Sequence, residues 1–358
     1  MLSEAAAKHL PWLFDKALPL WFERGVDWQR GGFYDQLDQN AARNAVDFKR
    51  LRVLARQIYV FSEAVSLGWE DGRRAVAHGL EFLLGRARRP DGGYALRFDL
   101  DGNVTDDRRD LYDLAFTLLA LAQARLKDEA LALVDYLDRT LRHSAGGFAE
   151  GAPASLPRRH NGHMHLLEAL LACVANGWGA PFAEGADRIA TLFRDRFFSA
   201  GFLPEEFSET LAPLAGPLEP GHYDEWCWLL DRWSRLRQQP PSGEADALYR
   251  FARRFGAASP GAPVVDALAP DGRVERADAR LWPQAERART MLGREPAAAS
   301  RAFGVLFSYL DAARIGGLWR ERRYADGSWS DEPAPASSLY HIVGAMAELS
   351  RRAGVRDK

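Results

Sequence analysis

Cysteine is scarce. The 358 residues hold two, Cys173 and Cys227, each inside an apolar helix-like run. Such thiols read as free and buried rather than as a disulfide, which makes the cytoplasm the expected compartment. Long apolar runs are missing as well. None reaches the roughly 18 residues that a spanning helix needs. The N-terminus, MLSEAAAKHLPWLFDKALPLWF, carries acidic residues and no clean apolar segment, so it reads as an amphipathic first helix and not as a signal peptide. Charge of one sign is not in excess: the net charge is −2, with Lys and Arg spread along the whole length. Without a basic block or an acidic tail, neither nucleic acid nor a membrane surface is an expected partner. No GxGxxG follows a strand, and GxxxxGK, GxSxG and HExxH are absent, so nucleotide, serine-hydrolase and zinc-protease readings lack a foothold. Low-complexity linkers are lacking too. RQQPPSGEAD (237–246) is a loop between helices of unchanged composition, so one domain over residues 1–358 is expected.

What is present is helical periodicity. Apolar residues recur at i, i+3 and i+4 in RLRVLARQIYVFSEAVSLG (50–68), DLYDLAFTLLALAQARL (110–126), HMHLLEALLACVANG (163–177), DEWCWLLDRWSRLRQ (224–238), AERARTMLG (285–293) and SSLYHIVGAMAELSRRAG (337–354), among others. About twelve helices are predicted. Between them come GGFYD at 31, GGYAL at 92, GGFAE at 146, AGFLPEEF at 200, DGRVERAD at 271 and GGLWRERR at 316. Glycine there reads as a turn leading into a short extended piece. Twelve helices and six such turns imply six helical hairpins with the same loop at the same end. Stacked hairpins can close on themselves. The expected fold is all-α, an (α/α)6 barrel with short extended segments in its loops. An open solenoid would need polar capping repeats, which are not seen.

Several polar residues interrupt the apolar pattern near helix starts. In HNGHMHLLEALLA, His165 and Glu168 share a helix face as i and i+3 neighbours, and His163 points elsewhere. Asn161 can serve as a helix N-cap. In EPGHYDEWCWLL, His222 and Glu225 are again i and i+3; a carboxylate beside an imidazole fixes its tautomer and raises its pKa. The alternative has Asp224 capping the helix and His222 exposed. His341 follows Tyr340 at the start of the last apolar helix. Arg56 sits amid an apolar run, where an unpaired guanidinium is costly, with Arg52 as its rival. Glu286 and Tyr112 show the same anomaly more weakly. His165, His222 and His341 with Glu225 or Glu286 have metal-ligand spacings, but such spacings are common by chance, and no metal or cofactor is expected. The 11 Trp suit both a core and stacking on sugar faces.

In order, ARQIYVF, DLYDLAF, NGHMHLLEA, EPGHYDEWCWLL, LWPQAER and SSLYHI resemble the N-acylglucosamine 2-epimerase superfamily, over about residues 20–350. The resemblance implies an (α/α)6 barrel acting without a metal on C1 and C2 of free sugars. GHYDEW is most similar to the D-mannose isomerase branch, whereas 2-epimerases usually carry GHxIEA. It implies that Arg56 binds sugar oxygens, that Tyr112, Asn161 and His165 line the pocket, and that His222 and His341 are the acid–base pair. His222 would act on the enediol and His341 would open the ring, or the reverse. Glu225 would orient His222, and Glu286 would sit near the reacting carbons. Trp282, in LWPQAER, and Trp319, in GGLWRERR, are taken as the tryptophans at the sugar. The implied reaction interconverts D-mannose, or a closely related free sugar, with D-fructose through a cis-enediol. The small-molecule sugar is the expected partner, and the resemblance leaves room for a homodimer. Three departures bear on the exact sugar: Gly162 where a proline is expected, Asp224 where an apolar residue is usual, and a shorter chain. Alternatives are a sugar 2-epimerase, a modified-sugar isomerase using Arg158 and Arg159, a glycoside hydrolase using Glu225 and Glu286, and a regulatory binder.

Overall fold

The computed structural model describes residues 2–354 except 200 and 260, so Ala200, which opens AGFLPEEF, lies outside the described residues, as do the two ends of the 1–358 span. Twelve helices run through the described residues: α1 (2–25), α2 (Leu51–Ser66), α3 (72–87), α4 (Leu111–Gln123), α5 (Lys127–Thr140), α6 (His160–Ala175), α7 (180–197), α8 (Pro220–Leu236), α9 (Gly243–Phe255), α10 (Leu281–Arg294), α11 (Pro296–Asp311) and α12 (Ala336–Ala353). The even-numbered helices touch in a closed ring, from α2 through α4, α6, α8, α10 and α12 back to α2. Each odd-numbered helix lies outside and packs on the inner helix before it, and α1 packs on α12, so the two ends of the chain close the ring. The fold is the expected (α/α)6 barrel.

Composition sorts the two rings. Inner α4 buries eleven of its thirteen residues, because both its faces meet protein. Outer α5 buries four of fourteen, Ala130, Leu133, Tyr136 and Leu137, which form one stripe. Each outer helix returns to the same end of the barrel. The glycine turns there hold positive φ, as the sequence requires of them. At Gly317 (φ +97°) a Cβ would lie 2.7 Å from the carbonyl oxygen of Lys16, so no other residue fits without a shift.

Short antiparallel strands form a belt around that end. Phe48–Arg50 pairs with Arg97–Asp99, Arg109–Asp110 with Gly151–Ala152, Arg158–Arg159 with Glu206–Phe207, Ala279–Arg280 with Arg322–Arg323, and Ala334–Pro335 with Gln36–Leu37. Five inner helices begin directly after a belt strand, and α8 begins two residues after the Leu218–Leu268 bridge. The belt therefore fixes where every inner helix starts. Second residues Tyr112, Asn161, Trp282 and Ser337 and sixth residues Arg56, His165, Glu225 and His341 of these helices line the same mouth.

The belt also explains a difference from the sequence reading. Helices expected from 163, 224 and 285 begin at His160, Pro220 and Leu281. Their N-caps, Arg159, Glu219 and Arg280, make no side-chain cap bond, so the usual start signal is absent. Asn161 and Asp224 are therefore inside helices, and neither is a cap. Asp224 is fully buried and takes Arg253 in two 2.7 Å bonds.

Candidate active site

The mouth opens into a cavity of about 390 Å³. Its wall includes Arg56, Tyr112, Asn161, His165, His222, Glu225, Trp282 and His341, which come from all six inner helices. The sixth residues of α2, α6, α8, α10 and α12 are Arg56, His165, Glu225, Glu286 and His341. Helical geometry thus collects in one layer what the sequence scatters over almost three hundred positions.

Two histidines face each other across Trp282, with ring centroids 4.9 Å (His222) and 5.7 Å (His341) from the indole. His341 Nδ1 lies 2.6 Å from Glu286 Oε1. Glu286 does not line the cavity; it sits behind the imidazole that it holds. Burial lowers the His341 pKa and outweighs the Glu286 bond, so this ring is neutral near pH 7. His222 Nδ1 lies 2.9 Å from Glu205 Oε2. Burial alone would lower its pKa, but Glu205 prevails and the net shift is upward. The expected partner, Glu225, is not beside His222. It lies a turn deeper, with Oε1 3.7 Å from His165 Nδ1 and without a hydrogen-bond partner. Burial first, then the nearby Glu286 and Glu168, push its carboxyl well above the usual range, which favours its neutral form. Burial takes His165 down to about 4.

Arg56 spans the opposite wall. Its guanidinium donates to Ser337 O at 3.2 Å and to the Tyr112 hydroxyl, and stacks 4.0 Å over Phe116. Arg52 instead pairs with Asp113 at 2.7 Å. His163 is a loop clamp: Nε2 accepts from Phe148 N–H at 2.9 Å, and Nδ1 faces Arg159 O at 3.1 Å. Arg158 is also structural, donating to Gly146 O at 2.7 Å and Phe148 O at 2.8 Å. Trp319 is a correction. It is fully buried away from the cavity and stacks on Trp21 at 5.2 Å. The glycine turn before it directs the ring into the gap between α1 and the belt.

Beneath the cavity lies a second polar layer. Arg289 is buried between Glu168 Oε1 (3.4 Å) and Glu286 Oε2 (3.6 Å), with its guanidinium 3.4 Å from the Trp228 ring centre. The Tyr340 hydroxyl donates to Glu168. This layer orients the residues above it.

Sequence reasoning missed Glu205, Glu219, Arg280 and His160. Glu205 stands in AGFLPEEF, which drew attention only through its glycine; the acidic pair behind it was the available signal. Among the described residues, three clusters have ligand atoms within 4.8 Å of one another: His160, Glu205 and His222; His165, Glu168 and Glu225; and Glu225, Glu286 and His341. Each could hold a small cation, and each is equally a set of imidazole–carboxylate pairs.

A model of the N-acylglucosamine 2-epimerase family matches residues 32–345. The chain is 37% identical over 373 residues to a mannose-6-phosphate isomerase of Rhizobium meliloti (strain 1021), covering 94% of this chain and 95% of that one. It is 29% identical over 282 residues to a D-mannose isomerase of Thermobifida fusca, covering 69% of each. The cellobiose 2-epimerase of Spirochaeta thermophila DSM 6192 has the same fold, with TM-score 0.89, 23% identity, and 99% and 97% of the two chains covered. Among the described residues no helix is long and apolar enough to cross a membrane. The facing histidines, the closed helical ring and these matches agree: the chain is a sugar isomerase or epimerase and belongs to the N-acylglucosamine 2-epimerase family.

Proposed function

We propose that the protein interconverts free D-mannose, or a closely related free sugar, with D-fructose through a cis-enediol, as one catalytic domain in the cytoplasm and without a metal. The observation that carries this reading is the pair of imidazoles across Trp282, each with Nδ1 on a carboxylate and Nε2 left for the substrate. Their environments favour one order of the two roles that the sequence reading left exchangeable. His222, with its raised pKa, protonates the ring oxygen as the sugar opens and regains a proton from the anomeric hydroxyl, which becomes the C1 carbonyl. His341, kept neutral, removes the C2 proton of the aldehyde form. The proton enters at C1, O1 gains a proton and O2 loses one, which gives the ketose. Arg56 and Tyr112 donate to the oxygen on which charge develops. Glu225, protonated, is a further donor.

The rim favours an uncharged sugar. Arg159 and Arg280, the basic groups described in the wall besides Arg56, are already paired with Glu206 (3.1 Å) and Glu219 (2.7 Å). A phosphate would face Glu205, Glu206 and Glu219. Like charges side by side cost several kcal/mol, so kcat/KM for mannose should exceed that for mannose 6-phosphate by about tenfold or more. The test is incubation of EDTA-treated protein with each sugar in D2O, followed by proton NMR. Fructose deuterated at C1 supports the reading. Glucose deuterated at C2 moves the protein to 2-epimerisation, and faster turnover of the phosphate overturns the choice of substrate.

The pH profile should carry the Glu205 effect. An acid must be protonated to act, so activity falls as pH rises through the His222 pKa. Glu205→Gln removes the charge that raises this value, and the alkaline limb of kcat/KM should move to lower pH by about one unit. An unmoved limb would separate His222 from that step.

A further inference from the structure

Two imidazoles share one carboxylate oxygen at the cavity mouth. Glu205 Oε2 lies 2.9 Å from His222 Nδ1 and 3.2 Å from His160 Nε2, the latter at a bent angle. The two rings meet edge to face with centroids 5.1 Å apart. One positive charge balances Glu205, and a second at this separation would be repelled. Something must decide which ring carries it.

His160 is fully buried at the first position of α6, and its Nδ1 accepts from Trp226 Nε1 at 3.1 Å. An indole N–H only donates. A proton on His160 Nδ1 would face another N–H in a dry site. His160 therefore keeps its single proton on Nε2, toward Glu205, and stays neutral. His222 meets no such block, since its second nitrogen remains free on the cavity side. We propose that Trp226, acting through His160, assigns the exchangeable proton of this triad to His222, and so is a positioning residue for the proton transfers.

The surroundings agree. Burial lowers the His160 pKa, whereas Glu205 overcomes burial at His222. The other titratable groups facing the triad are Glu219 and Arg280, which pair with each other at 2.7 Å, and His163 on α6. The flanking rings of Phe197 on α7 and Trp282 on α10 carry no charge.

The inference rests on the proposed reaction for its kinetic readout only. Trp226→Phe keeps the ring and removes the N–H, which frees His160 to take the proton. The proton then divides between the rings, and the apparent His222 pKa falls. The expected result is a shift of about half a pH unit or more to lower pH, in the limb of kcat/KM set by His222 and in the NMR titration of its ring protons without substrate. His160→Gln keeps an amide donor for Glu205 but cannot take up a proton, so adding Trp226→Phe to it should bring no further shift. An unshifted His222 titration in Trp226→Phe would overturn the proposal. So would an equal shift in the His160→Gln background, which would mark a packing effect. Should His160→Gln not fold, the titration of Trp226→Phe decides alone. The NMR readout needs no turnover, so inactivity on mannose is a separate result.

Discussion

His341→Gln and His222→Gln are each expected to lower kcat by 10² to 10⁴, about the contribution of a positioned acid or base. Glutamine is preferred to alanine because Glu286 is buried and Glu205 partly so, and alanine would take from each the imidazole at its carboxylate. An amide can occupy that place without offering a titrating nitrogen. The two losses should not add, because ring opening and C2 deprotonation act in sequence on one substrate. The variants should differ in character. In D2O, His341→Gln should lose exchange at C2, since no base remains there. His222→Gln should slow the reaction most with the closed ring form, which needs the acid. Steady-state assays beside thermal melts make the check. Near-wild-type turnover in a folded His341→Gln protein would remove that residue from the chemistry.

Arg289→Met should be the most damaging single change to stability. The side-chain volume is roughly kept, but Glu168 and Glu286 lose the buried cation lying between them. Removing one partner of a buried ion pair costs about 3–5 kcal/mol. Urea unfolding at pH 7 measures this, and a loss under about 1 kcal/mol would show that the layer does not depend on the arginine. The pH dependence should change sign. In the wild type, burial would raise the Glu168 pKa, but His165 and Arg289 prevail and hold it at about 2. Its folded value is therefore depressed, and the stability it adds is present above the unfolded value of about 4.5 and lost as pH falls toward 2. Without Arg289 the buried carboxyl takes up a proton on folding. The variant should then gain stability as pH falls from 7 toward 5, where the wild type changes little through this group.

The pair of predictions separates two layers of one barrel. The upper layer lines the cavity, where burial and the neighbouring carboxylates set the His222 and His341 pKa values in opposite directions. The lower layer is a fixed charge network that holds the upper one in place. The position of Arg289 three residues after Glu286, one turn down α10, is what joins them.

The sequence by itself determined the ring of helices. Periodic apolar faces and six glycine turns are local signals, and a hairpin that hides one face has few ways to bury the other. It also marked Arg56, His165, His222, Glu225 and His341, because a polar side chain in an apolar helical run stands out against its neighbours. Only the tertiary structure decided how these residues pair. The i, i+3 rule joined His222 to Glu225, yet in the barrel that spacing carries Glu225 down toward the axis, and Glu205 arrives from a loop 17 residues earlier. The helix starts at His160, Pro220 and Leu281 are set by belt strands from distant segments, not by caps, so no local pattern announced them. Trp319 shows the same limit. Its neighbours permit either a sugar face or a core, and packing against Trp21, some three hundred residues away, chose the core.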